Sequence, residues 1–139
     1  ALLNAKLTQT EVKGIKVKTN VDANLSKLST RAFDITRILG NLIDNALDAV
    51  TGNQKQDRWM RLDIEEKGPF LFFSITNPGT LPEEIRAKMF TPGFTTKDSS
   101  HSGLGLYICK QLAEKLHGKI EYTSHGETGT TFSLVLPKP

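Results

Sequence analysis

A stripe of amides and carboxylates within an otherwise apolar helix is the feature that most restricts how this chain folds. Asn41, Asp44, Asn45 and Asp48 stand at i, i+3, i+4 and i+7, so a helix places them on one face. Apolar residues fill the positions around them: Leu39, Leu42, Ile43, Ala46, Leu47 and Val50. Because buried amides and carboxylates are costly unless a partner satisfies them, the pattern predicts a core helix with either a polar ligand or one solvated face.

The residue types in the stripe indicate what such a ligand would be. Amide and carboxylate oxygens suit a nucleotide whose phosphates carry magnesium, since that ion takes hard oxygen ligands and keeps waters and phosphate oxygens around it. Taken alone, the same spacing is more often the wet face of an amphipathic helix. Other parts of the chain must decide between the two interpretations.

Length and composition predict one soluble domain. A chain of 139 residues can bury a single core, and 37% hydrophobic with 24% charged residues is ordinary for a globular protein. The sequence has neither eighteen consecutive apolar residues nor a signal peptide at its start, so we expect a cytoplasmic domain without membrane contact.

The cysteine and charge content excludes several function classes. A single cysteine, Cys109, rules out an internal disulfide and a cysteine-based metal cluster, and its apolar neighbours predict a core position. The net charge of +3 is spread among acids without a basic block, so nucleic acid is not an expected partner.

Periodicity and turn residues predict an α/β two-layer sandwich, with a mixed sheet covered on one face by helices. The expected helices cover residues 1–13, about 30–50, 82–90 and 104–116, and the expected strands cover 15–21, 60–64, 70–75, 120–124 and 130–136. The nearly continuous apolar run from Phe70 predicts a central strand, and Gly118 is expected to stop the last helix.

A glycine loop opens that last helix. In Ser102-Gly103-Leu104-Gly105, glycines would let backbone N–H groups approach a phosphate at the positive end of the helix dipole. This signal is weak alone, but the order in which it and the other motifs follow one another along the chain strengthens it. The asparagine-rich helix is followed by an Asn77-Pro78-Gly79 turn, a Thr, Ser and Gly-rich segment at 91–102, the glycine loop, and Gly129-Thr130-Thr131-Phe132.

On these motifs the chain resembles the catalytic ATP-binding domain of bacterial sensor histidine kinases, in the superfamily that includes gyrase, the heat-shock ATPase chaperone and mismatch-repair ATPases. The fold that this implies is the Bergerat-type ATP-binding sandwich. Residues 41–49 look like the N box, 77–79 occupy the place of the first glycine box, 90–94 look like the F box, and 102–106 look like the second glycine box.

The resemblance implies ATP and Mg²⁺ as ligands. Asn45 would hold magnesium with Asn41 supporting the phosphates, Asn77 would meet the adenine amino group, and Thr130 would complete the adenine pocket. Residues 91–102 would form the ATP lid. The other implied nucleotide contacts are Asp48, Gly79, Phe94, Thr96, Lys97, Ser102, Gly103, Leu104, Gly105 and Leu106.

Two of these side chains keep alternatives. Lys97 could neutralise charge on the transferring phosphate, or be a solvated loop lysine. Asp44 and Asp48 could orient magnesium-bound water, although Asp48 could equally cap the helix end or pair there with Arg58 or a neighbour.

The chain departs from the family pattern in the first glycine box, and one residue of the N box indicates which branch of the superfamily it resembles. The family usually has Asp-x-Gly-x-Gly, whereas here Asn77 replaces the aspartate and Leu81 the second glycine. An asparagine oxygen can still accept a hydrogen bond from the adenine amino group, but that bond has no ionic character. The alternative role for Asn77 is turn formation. Asn41 stands where hydrolytic relatives carry a glutamate base, which favours a kinase over an ATPase.

The resemblance implies transfer of the ATP γ-phosphoryl group to a histidine that this chain does not supply. None of His101, His117 and His125 stands in a phosphoacceptor context. Residues 1–13 look like the C-terminal end of a dimerisation helix and 14–139 like the catalytic domain. The implied partners are ATP, that dimerisation and phosphoacceptor domain, and indirectly a response regulator, whereas membrane anchoring of the parent stays open. The alternatives are a non-catalytic kinase-like interaction module and an anti-sigma-type protein serine kinase.

Overall fold

The computed structural model describes residues 14–50, 54, 57–81, 83–90 and 105–139. The strands are β1 Lys16–Asp22, β2 Trp59–Lys67, β3 Phe70–Asn77, β4 Lys119–His125 and β5 Gly129–Pro137. The helices are α1 Ala32–Val50, preceded by a 3₁₀ turn at Ser29–Arg31, α2 Glu83–Arg86 and α3 Gly105–Lys115. Each lies where the sequence predicts it, except that α2 ends at Arg86 and not near residue 90, and the expected helix at 1–13 lies outside the described residues.

The strands form one mixed sheet in the order β1-β2-β3-β5-β4. β1 runs parallel to β2, whereas the other neighbouring pairs are antiparallel. A parallel pair needs a long crossover, and α1 lies within the connection between β1 and β2. The sheet therefore confirms the mixed topology, and β3 is its central strand.

The core lies between the sheet and one layer of helices. Every second residue of β2 and β3 is buried in it: Met60, Leu62, Ile64, Leu71, Phe73 and Ile75. α1 contributes Ile35, Ile38, Leu39, Leu42, Ile43, Ala46, Leu47 and Val50. Cys109, Ala113 and Leu116 complete it from the α3 side, whereas Ile108 is only half-buried. The two-layer sandwich is confirmed.

The opposite face of the sheet is polar at its centre. The hydroxyls of Ser74 and Ser133 lie 2.7 Å apart, and those of Thr76 and Thr131 lie 2.8 Å apart. The apolar run of the central strand β3 is therefore not buried along its whole length, and 43% of Phe70 is exposed. Within the described ranges, no helix covers this face, and none is both long and apolar enough to cross a bilayer.

The end of α3 is shaped by His117 rather than by Gly118. His117 has a φ of 64°, its N–H donates to the Glu114 carbonyl at 3.0 Å, and the Gly118 N–H donates to the Ala113 carbonyl at 2.8 Å. These two bonds form a Schellman cap. Gly118 is required for a different reason, because a Cβ there would overlap the Val135 carbonyl and the Leu136 side chain.

Replacing Gly118 with alanine should therefore destabilise the fold. The overlap involves backbone of β5, which cannot move aside easily, so we expect Gly118→Ala to lower the free energy of unfolding by about 1–3 kcal/mol. Gly126→Ala is the matched control, because a Cβ at that hairpin position meets no atom within 4 Å. Urea unfolding of both variants measures the effect, and equal midpoints would contradict it.

Candidate functional site

The polar stripe of α1 is neither fully buried nor the solvated face of the helix. Asn41, Asp44, Asn45 and Asp48 are each partly buried. The exposed positions of α1 are Ala32, Phe33, Arg37 and Ala49, and none of them belongs to the stripe. The most exposed face of α1 therefore lies elsewhere on the helix, and the stripe is at the margin of the core.

Two atoms of the stripe are inaccessible to solvent. They are the amide nitrogen of Asn45 and one carboxylate oxygen of Asp48, three positions further along α1. Within the described part of the chain, no group of three or more His, Cys, Asp and Glu side chains is arranged to hold a metal. The donor set instead fits an ion that brings most of its own ligands, as magnesium does when bound to phosphates and water.

Asn41 connects the stripe to α3 through Cys109. The Cys109 thiol is fully buried and donates to the Ile38 carbonyl at 3.6 Å. Burial raises the pKa of this thiol to about 12, while a hydrogen bond with the Asn41 side chain and the charge of Arg37 act in the opposite direction. The predicted core position of Cys109 is confirmed, and Asn41 lies against the helix that the glycine loop precedes.

At the end of β3, Asn77 presents one defined polar atom. Asn77 is only 6% exposed, and its Nδ2 donates to the Pro78 carbonyl at 2.8 Å. Because a carbonyl oxygen only accepts, this bond fixes which end of the amide is nitrogen and leaves Oδ1 as the acceptor. Asn77 therefore contributes to the turn and also offers an acceptor of the kind that adenine recognition needs.

A relay of hydrogen bonds holds the Asn77 turn, defined as residues 77–81. The Leu81 N–H donates to Ser124 Oγ at 2.8 Å, Ser124 Oγ lies 2.9 Å from Thr130 Oγ1, and Thr130 Oγ1 donates to the Gly79 carbonyl at 2.8 Å. The two end groups fix the direction, since an N–H only donates and a carbonyl only accepts. Ser124 therefore donates to Thr130.

Gly129 lets β5 approach this turn closely. Its φ is +92°, and a Cβ would overlap the carbonyl of Asn77. The next residue, Thr130, is the β-sheet partner of Asn77 and sends its hydroxyl to Gly79. The Gly129-Thr130 pair thus places a threonine hydroxyl against the turn.

The structure brings some predicted site residues together, and others lie outside its description. Asn77, Gly79 and Thr130 form one cluster at the end of the central strand, and α1, which carries the stripe, packs against that strand. Leu106 packs against the core in the first turn of α3, which begins at Gly105. The predicted residues outside the described ranges are Phe94, Thr96, Lys97, Ser102, Gly103 and Leu104, together with the rest of the expected lid.

Two residues of this cluster were missed from the sequence. Ser124 was assigned only to a strand, although its pairing with Thr130 in the predicted hairpin was a usable signal. Arg86 donates through Nε to the Leu81 carbonyl at 3.0 Å, a contact for which the sequence contains no local signal.

Comparison with known proteins gives this geometry its context. Residues 30–139 match the family of histidine kinase-, DNA gyrase B- and HSP90-like ATPases. The chain is 37% identical over 99% of its length to a probable C4-dicarboxylate sensor kinase of Halalkalibacterium halodurans, and 32% identical over 98% to one of Bacillus subtilis. It spans 26% of the length of each. The nucleotide-free catalytic domain of histidine kinase ThkA superposes with a TM-score of 0.78 at 28% identity, covering 99% of this chain and 88% of that one.

With a central strand that ends at an asparagine turn and a helix that carries a half-buried amide stripe, the chain belongs to the histidine kinase-, DNA gyrase B- and HSP90-like ATPase family. This is a family of ATP-binding domains. Within it, the chain is a histidine kinase catalytic domain: the relatives it matches are sensor kinases, and the structural neighbour is the catalytic domain of a histidine kinase.

The raised pKa of Cys109 predicts how stability depends on pH. The folded thiol has a pKa of about 12, against 9.0 as its ordinary value, so above pH 9 the unfolded chain releases this proton first. The free energy of unfolding should therefore fall as pH rises, with Cys109 contributing a loss of about 1.4 kcal/mol at pH 10. Urea unfolding should show that the free energy of unfolding falls more between pH 8 and pH 10 in the unaltered chain than in Cys109→Ala. Equal losses in the two proteins would contradict the raised pKa of Cys109.

Proposed function

We propose that this chain binds Mg-ATP along the α1 stripe and at the Asn77 turn, and transfers the γ-phosphoryl group to a histidine on a separate dimerisation domain. The observation that carries the proposal is the half-buried stripe, in which polar atoms of Asn45 and Asp48 are withdrawn from solvent inside a domain of an ATPase family. Amide and carboxylate side chains offer the hard oxygen ligands that Mg²⁺ takes when it is bound to phosphates and water.

The stripe is proposed to hold the metal and the phosphates. Asn45 would coordinate Mg²⁺ through its amide oxygen, Asn41 would support the phosphates, and Asp48 would orient metal-bound water. Magnesium would neutralise charge on the phosphates during transfer. Residues of the glycine loop, Ser102 to Gly105, and Leu106 are proposed to complete the phosphate site, with Phe94, Thr96 and Lys97 contributing from the lid.

The Asn77 turn is proposed to read the base. Asn77 Oδ1 would accept a hydrogen bond from the 6-amino group of adenine, a role supported by the engagement of Nδ2 with Pro78. A neutral amide replaces the usual carboxylate, so this bond lacks ionic character and we expect modest affinity. Gly79 and Thr130 would act mainly by shaping the turn, because the Thr130 hydroxyl is used on the Gly79 carbonyl.

The chemistry proposed is kinase chemistry rather than hydrolysis. Asn41 has no basic site with which to activate water. Transfer would therefore depend on positioning and charge stabilisation, with the acceptor histidine coming from the dimerisation domain. We further propose that residues 1–13 belong to the end of that domain, that a response regulator is the indirect partner, and that the domain acts in the cytoplasm.

Nucleotide binding should be visible as thermal stabilisation. A ligand that binds only the folded state at about 100 times its Kd adds roughly 2.7 kcal/mol to the free energy of unfolding. We expect Mg-ADP to raise the melting temperature, and Asn45→Ala to lose most of the part that depends on magnesium. Lys110→Ala, at an exposed position of α3, should respond like the unaltered chain.

Scanning calorimetry with and without Mg²⁺ and titration calorimetry measure these effects. If millimolar nucleotide gives neither a shift nor heat of binding, the domain is an interaction module without ATP binding.

The chemistry is tested by supplying the acceptor in trans. The chain alone should neither hydrolyse ATP at an appreciable rate nor label itself with γ-³²P-ATP. Adding the dimerisation domain of the parent protein should produce acid-labile labelling on a histidine of that added domain. Labelling should fall sharply with Asn45→Ala or Gly103→Ala, and less with Lys97→Ala.

Steady ATP turnover by the chain alone, lost in Asn45→Ala, would place it in a hydrolytic branch of the family. Acid-stable labelling of a partner serine would instead favour the anti-sigma type of kinase.

A further inference from the structure

We infer that Arg86, acting with Ser124, is a positioning residue that sets base selectivity by holding the Asn77 turn in its recognising shape. The inference rests on the proposed function, because it concerns how the same site distinguishes adenine from other bases. Arg86 is not among the predicted nucleotide contacts, and it acts through the backbone of the turn.

The need for such a residue follows from what the turn lacks. The related pattern has a second glycine where this chain has Leu81. Leu81 instead packs its side chain against the core. Since the turn is not shaped by two flexible glycines, other contacts must fix the path of its backbone.

Side chains from three elements supply those contacts. Thr130 of β5 donates to the Gly79 carbonyl, and Ser124 of β4 accepts from the Leu81 N–H. Arg86, at the end of α2, donates through Nε to the Leu81 carbonyl at 3.0 Å and through Nη2 to the Ser124 carbonyl at 3.4 Å. Three backbone polar groups of the turn are thereby occupied, and Arg86 joins the turn to the strand that carries Ser124.

Arg86 is suited to this task by its chemistry. Its side chain is half-buried, and its guanidinium presents several donors in a rigid plane, so one residue bonds two carbonyls at once. A lysine has one ammonium on a flexible stem and cannot reproduce that fork. Hydrogen bonds to charged groups are also stronger than neutral ones.

The consequence for recognition concerns the amide of Asn77. Its Oδ1 distinguishes a 6-amino purine from a 6-oxo purine only while the Asn77-Pro78 unit stays in place, because a rotated amide would offer a donor instead. Loosening the far end of the turn should therefore weaken adenine binding and reduce discrimination against hypoxanthine. The phosphate and metal contacts, which lie on other elements, should be unaffected.

The test compares three ligands on the intact chain. Titration calorimetry would measure Kd for Mg-ADP, for Mg-IDP, whose base is 6-oxo, and for Mg-tripolyphosphate, which has no base. Arg86→Ala should raise Kd for Mg-ADP by roughly fivefold, the effect of losing about one hydrogen bond, and leave Kd for tripolyphosphate within about twofold. The ratio of the IDP to the ADP Kd should fall. Ser124→Ala should show the same signature.

Two further variants separate positioning from charge and folding. Lys88→Ala removes an exposed cation near α2 and should leave all three Kd values unchanged. Arg86→Lys keeps the charge, and its Kd for Mg-ADP and its IDP-to-ADP Kd ratio should lie between those of the unaltered chain and of Arg86→Ala. The lysine variant replaces the alanine variant in the test if the latter does not fold.

An unchanged IDP-to-ADP ratio in the Arg86 variants, or equal losses for ADP and tripolyphosphate, would overturn the inference while leaving the proposed function intact. Failure of the unaltered chain to bind Mg-ADP would overturn the proposed function itself, and the inference with it.

Discussion

The burial of α1 against the central strands is the interaction on which the rest of this domain depends. Eight of its side chains enter the core, and each fully buried aliphatic side chain contributes about 1.5–3 kcal/mol. That apolar face fixes the rotation of the helix. The stripe of Asn41, Asp44, Asn45 and Asp48 is then held at the margin of the core, partly out of water. The same packing that stabilises the fold therefore keeps amides and carboxylates partly out of water, where the proposed magnesium nucleotide would gain most from them.

The Asn77 turn, the proposed base-recognition loop, is built without a second glycine. Two glycines shape a loop by permitting unusual backbone angles, at the expense of conformational entropy. Here, side chains from β4, β5 and α2 hold the backbone through hydrogen bonds to Gly79 and Leu81 instead. A turn held in this way is rigid before ligand arrives, which lowers the ordering cost of binding. In the proposed adenine contact, such rigidity would offset part of what is lost when a neutral asparagine replaces a charged acceptor.

The two halves of the site meet through α3. Asn41 contacts Cys109, and the first turn of α3 brings Leu106 onto the core. At the other end of α3, His117 adopts the left-handed cap and Gly118 allows contact with β5, the strand that carries Thr130. α3 thus touches the proposed magnesium and phosphate half through Asn41, and Gly118, just beyond its end, touches the sheet of the proposed base half. Movement of α3 would be felt at both halves, because packed elements shift as units.

The sequence by itself determined the helices, the strands, the one-sided core and the asparagine stripe, because each follows from apolar and polar residues that recur every 3.6 or 2 positions. It also indicated Asn77 and Thr130, which lie in recognisable motifs. Only the tertiary structure decided that β3 has a polar outer face, that His117 rather than Gly118 caps α3, and that Ser124 and Arg86 hold the turn. Leu81 and Ser124 are 43 residues apart, and Gly79 and Thr130 are 51 apart. Their contacts depend on β5 lying between β3 and β4 in one register, and that arrangement is set by packing of the whole sheet, which no local pattern encodes.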